Sequence, residues 1–102
     1  MPLVTVGILA SESEQLDLLQ TLVDATTAGR AILKESLTNL EFFIQKVREL
    51  KPQVLLVDIA PRNPSPSVAA IERLRAELPQ ISIFACGDMT KRHVIVEAMR
   101  AG

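Results

Sequence analysis

Tryptophan and tyrosine are absent from this chain of 102 residues, and Phe42, Phe43 and Phe84 are its only aromatics. Its core must therefore be filled by Leu, Ile and Val, the usual packing of a parallel sheet covered on both faces. The single cysteine, Cys86, excludes an internal disulfide framework and a multi-cysteine metal site. A reduced, cytoplasmic setting is expected from it. Excess charge of either sign is also missing, since 11 basic and 12 acidic residues leave a formal net charge of −1. No basic stripe interleaved with aromatics is present, so no nucleic-acid partner is expected. No apolar run is long enough to cross a bilayer, and the first residues lack a basic region followed by an apolar stretch and a cleavage site. Membrane insertion is therefore not expected.

What is present is 48% hydrophobic residues, enough for one globular domain over residues 1–102. The chain is organised around residues 53–61, QVLLVDIAP. Four aliphatic residues in a row, Val54, Leu55, Leu56 and Val57, read as a strand buried on both faces at the middle of a parallel sheet. That strand ends on Asp58 and breaks at Pro61, which puts a carboxylate on the rim where open α/β sheets bind ligands. The competing reading is a turn cap, in which the short Asp side chain accepts backbone N–H groups.

Residues 3–10 (LVTVGILA) read as another central strand, with Gly7 permitting close approach of a neighbour. Ser11 with Glu14 fits a capping box, and a helix follows to about residue 28, closed by Gly29 as C-cap. Residues 30–36 are shorter and more polar and suit an edge strand. Thr38 with Glu41 fits a second capping box, ahead of a helix with Leu40, Phe43, Ile44 and Val47 on one face, ended at Lys51-Pro52. Ser65 as N-cap and Pro66 at the first position begin a third helix, with Val68, Ile71, Leu74 and Leu78 facing inward. Residues 81–86 (ISIFAC) form a strand, and residues 91–101 a last helix whose apolar side holds Val94, Ile95, Ala98 and Met99. Cys86 reads as packed core. Lys91, Arg92 and His93 read as a solvated helix face at the end unfavourable for cations. The order β-α-β-α-β-α-β-α predicts an α/β, flavodoxin-like doubly wound parallel sheet of order 2-1-3-4. A fifth strand and helix are expected beyond Gly102, so the domain reads as incomplete at its C-terminus.

Three stretches now resemble a response-regulator receiver domain over essentially the whole chain. They are VLLVDI with Asp58, IERLRAELP at 71–79, and EAMRAG at 97–102. The resemblance implies that Asp58 is the phosphoacceptor. Receivers hold Mg²⁺ with a pair of acids after the first strand, where this chain has Ser11-Glu12, so the implied metal ligands reduce to Glu12, Asp58 and the Ala60 carbonyl. The Ser or Thr that ends the fourth strand in receivers is matched here to Ala85, which has no donor. The receiver lysine after the fifth strand lies beyond residue 102. Pro61 also comes one residue early, and the loop after it lacks the usual glycine. The chain is therefore identified as an atypical, degenerate receiver. It is similar to the modified receivers that precede a MinD-like ATPase domain in Flp/Tad-type pilus-assembly proteins, although no ATP-binding loop of the GKT type occurs here.

The expected function is that of a non-enzymatic pseudo-receiver, a protein-interaction and localisation module of signalling or pilus assembly, with no cofactor. The alternative is a working phosphorelay receiver using Asp58, the only reading in which Mg²⁺ is expected. A flavin or nucleotide site is disfavoured because residues 10–13 (ASES) are too acidic to cradle phosphate. With no fifth strand to cover it, the edge carrying Ile81, Ile83 and Phe84 is expected to mediate self-association.

Overall fold

The computed structural model describes residues 2–101; Gly102, the last residue of the EAMRAG stretch, lies outside them. The apolar runs form β1 (Val4–Ala10), β2 (Gly29–Ser36), β3 (Val54–Asp58) and β4 (Ser82–Cys86). Between and after them lie α1 (Ser13–Ala25), α2 (Leu40–Leu50), α3 (Ser65–Glu77) and α4 (Lys91–Ala101), with a single 3₁₀ turn, Leu37–Asn39, before α2. All neighbouring strands are parallel and lie in the order β2-β1-β3-β4. This is the flavodoxin-like α/β sheet that the sequence predicts.

Two apolar layers enclose the sheet. Phe43, Ile44, Val47, Ile71 and Leu74 of α2 and α3 pack with Leu9, Leu55 and Val57 on one face. Leu19, Val23, Ile95 and Ala98 of α1 and α4 pack with Val6, Ile8, Val54 and Leu56 on the other. Each face is thus covered by two helices, and the last helix shares its face with the first. Gly7 sits where a Cβ would come within 2.9 Å of Leu55 Cδ2, so its lack of a side chain lets β1 lie against β3. Ile32 is an extra residue of β2 opposite the Val6-Gly7 step, a bulge in the outer pair.

Several local expectations are corrected. The Ser11 and Glu14 capping box does not form; α1 begins after Glu12, whose side chain makes no cap bond. The helix stops at Ala25 rather than near 28, because Thr26 Oγ1 accepts from Ala28 N at 3.1 Å and Thr27 turns left-handed at φ 56. Gly29 is therefore not a C-cap but the first residue of β2. A Cβ there would meet Met99 Sδ of α4, so the methionine side chain packs over the bare glycine. The Thr38 and Glu41 box is replaced by Ser36, whose Oγ accepts from Thr38 N at 3.3 Å, while Glu41 pairs with Arg73 of α3. Arg73 also meets Glu77, which Arg48 of α2 reaches at 3.1 Å, so these surface charges tie α2 to α3. In α3 the cap position falls on Pro64, one residue before that predicted. Ser67 rather than Val68 faces inward, and Val68 is 44% exposed.

Candidate functional site

The carboxyl ends of β1, β3 and β4 converge on Asp58. This residue is 2% exposed and lies level with Cys86 across the β3–β4 pair. Ile59 N donates to Cys86 O at 2.8 Å, carrying the pairing past the last strand residue. After Cys86 a short turn is closed by Thr90, whose N–H donates to Gly87 O and whose Oγ1 accepts from Gly87 N. That turn starts α4 directly over the end of β3 and delivers its first residue, Lys91, into the sheet layer.

Lys91 is only 5% exposed. Its Nζ stands 3.0 Å from Asp58 Oδ1 and donates to Asp88 Oδ1 at 3.1 Å. The Asp58 contact is an ion pair outside hydrogen-bond geometry, which leaves Oδ1 without a hydrogen-bond partner among the described residues. A cation at a helix N-terminus faces the positive end of the helix dipole, and here two carboxylates offset it. Burial works to lower the Lys91 pKa, yet attraction to Asp58 and then Asp88 outweighs it and holds the ammonium above its ordinary value.

Beside this pair lies an open cavity of about 290 Å³ lined by Ser11, Glu12, Gln15, Asp58, Ala60, Pro61, Arg62 and Asp88. A larger cleft of about 520 Å³ around Arg48, Lys51 and Gln53, remote from Asp58, is lined by no carboxylate. The structure therefore brings Glu12, Asp58 and Ala60 to one cavity. It does not bring Ala85 there. Ala85 is level with Val57, and strand alternation turns it to the opposite face from Asp58; the β4 residue beside the carboxylate is Cys86. Ile83 and Phe84 lie half-buried on β4, which among the described residues pairs with β3, and Ile81 lies just before it.

Lys91 corrects the sequence reading: it is not part of a solvated basic face, although Arg92 and His93 are exposed. The signal was in the spacing. Lys91, Ile95 and Ala98 are four and three residues apart and so share one stripe, and all three are buried.

The Mg²⁺ site implied by the receiver resemblance is met only in part: Glu12, Asp58 and Ala60 line one cavity, but an ammonium stands against Asp58. Mg²⁺ needs an octahedron of oxygens, usually anchored by carboxylates. No group of three or more His, Cys, Asp or Glu side chains suited to a metal ion occurs among the described residues. The buried Oδ1 of Asp58 is already against an ammonium.

Cys86 is buried, and its thiol donates to Val57 O at 3.8 Å. Burial, and then the charge of Asp58, push it up to about 11 from 9.0, against a smaller opposing effect of Lys91. The thiol is therefore expected to resist alkylation near neutral pH in the folded chain and to react once urea unfolds it. A raised thiol pKa keeps the proton in the folded state, so its contribution is complete below pH 9.0 and lost as pH rises toward about 11. That loss amounts to about 2–3 kcal/mol. Urea melts across this range should show it, and Cys86→Ala should remove it; an identical alkaline slope in the variant would contradict the assignment.

Among the described residues no helix is long and apolar enough to cross a membrane. No protein-family model matches the chain. It is 30% identical over 77 residues, 76% of its length, to the chemotaxis protein CheY of Thermotoga maritima, and it spans 62% of that protein. That similarity, with the observed strand order, supports a CheY-like receiver domain.

Proposed function

We propose that this chain is a receiver-like signalling module that works through protein contact, with Asp58 retained as half of an ion pair rather than as a phosphoryl acceptor. The observation that carries this reading is the Lys91 ammonium 3.0 Å from Asp58 Oδ1. Phosphoryl transfer to a carboxylate depends on positioned donors and on charge that neutralises the phosphoryl oxygens. Here Cys86, the β4 residue beside the carboxylate, offers no hydroxyl, and Ser11 stands where a second acid would be needed.

A second reading, a phosphoacceptor receiver, is favoured by one observation: Asp58 and Glu12 line the same solvent-open cavity. Intact mass after incubation with acetyl phosphate and Mg²⁺, on the wild type and on Asp58→Asn, separates the two. No adduct on either folded protein is the expected result, whereas a phosphoryl adduct confined to the wild type would establish the second reading. As contact surface we propose the outward side of β4, whose sequence SIFAC carries no charged residue, and as partner a second copy of the chain. Light scattering on the same samples reads this out, and a monomer at every concentration would remove that part.

A further inference from the structure

We infer that the Lys91 ammonium, seated against Asp58 behind the acidic cavity rather than in its lining, stands in for a divalent metal at Asp58 and excludes one from it. The inference does not depend on whether Asp58 accepts a phosphoryl group. It rests on three observations that meet at one atom. Asp58 is 2% exposed and its Oδ1 has no hydrogen-bond partner among the described residues, a position that a bound cation would satisfy. Nζ of Lys91 occupies a point 3.0 Å from that oxygen, with Asp88 Oδ1 on its other side. Glu12 and Asp88 line the same cavity but form no three-carboxylate cage with Asp58.

A buried carboxylate requires a neutralising charge, and this fold supplies it covalently. An ammonium on a four-carbon stem is a compact point charge with three donors, close to the electrostatic role of a small ion but with one charge instead of two. While it is in place, a divalent ion approaching Asp58 Oδ1 meets repulsion at contact distance and gains one carboxylate fewer than the site would otherwise give. Removing the ammonium should leave Arg62 as the cation facing three carboxylates, Asp58, Glu12 and Asp88, around a cavity of about 290 Å³, and this surplus of negative charge should recruit metal.

The test is titration of Mg²⁺, followed by backbone amide shifts, and of Mn²⁺, followed by line broadening. It is run on the wild type, on Lys91→Met and on the Lys91→Met, Asp58→Asn double variant. The wild type should show no saturating shift at Glu12, Asp58 or Ala60 in the millimolar range. Lys91→Met should bind at least roughly tenfold more tightly, and adding Asp58→Asn should abolish the gain. Saturable Asp58-dependent binding by the wild type, as tight as that of Lys91→Met, would overturn the inference. So would a folded Lys91→Met that gains nothing. If Lys91→Met does not fold, Lys91→Gln replaces it with the same two expectations, because its amide can still donate to Asp58. Saturable shifts at Asp58 in the wild type would overturn the exclusion claim before any variant is made.

Discussion

Phe43→Ala is expected to lower the free energy of unfolding by about 3–5 kcal/mol. Phe43 is fully buried and is the largest such side chain in the chain. It packs in the layer between α2 and the sheet with Leu9, Leu55 and Val57, and its ring lies beside Gly7. Close-packed interiors relax only partly when a ring is removed, so a cavity penalty adds to the lost transfer energy. The chain has few aromatics with which to refill the space. Far-UV circular dichroism in urea is the suitable measurement, because the chain has no tryptophan or tyrosine to report by fluorescence. The midpoint should fall with the slope unchanged. Phe42 supplies the control: it is 45% exposed, with the Lys46 ammonium 5.4 Å from its ring centroid, and Phe42→Ala should cost less than about 1 kcal/mol. Equal losses at the two positions would sink the argument from packing.

Lys91→Met is expected to cost about 3–5 kcal/mol at neutral pH, the usual penalty for stranding one member of a buried ion pair. Methionine fills much of the volume of the lysine stem, so the loss reports charge more than packing. The penalty belongs to Asp58, which would remain 2% exposed with its counter-charge gone. Asp58→Asn in the same chain should therefore recover most of the loss, and a double-variant cycle isolates the coupling. If the two losses simply add, Lys91 and Asp58 do not stabilise each other, and the contact is incidental. Lys91→Arg is a poor control, since a planar guanidinium cannot occupy the point between Asp58 and Asp88 that the ammonium holds.

The sheet was legible because parallel strands buried on both faces must be written as nearly unbroken apolar runs, and residues 54–57 and 6–10 are. Strand order followed from connection handedness, and Asp58 from its place after such a run. Side-chain partners were harder to read, because what decides them is distant in sequence. Gly29 reads locally as a helix end, and only the packing of Met99 from α4 over it reveals why glycine is there. Glu41 reads as a capping residue until Arg73 of α3 captures it. Ala85 and Cys86 differ by one position, and a one-residue slip in a strand exchanges the faces. Lys91 was obscured by its neighbours, since three consecutive basic residues suggest solvent even though one of them continues the buried stripe of α4.

The position of β1 between β2 and β3 also has a kinetic consequence. Bonds between Thr5 and Gln53, 48 positions apart, fix the start of the central pair. Such a pairing costs loop-closure entropy before it returns any burial. The unit β1-α1-β2 lies within the first 36 residues, whereas Asp58 and Lys91 come from β3 and α4 of the second half. Contacts that form beyond the barrier slow unfolding and leave the folding rate nearly untouched. We expect the charge pair to act as such a late contact, so that its loss in Lys91→Met is seen in the unfolding arm of the chevron; an equal change in the folding arm would place it in the nucleus.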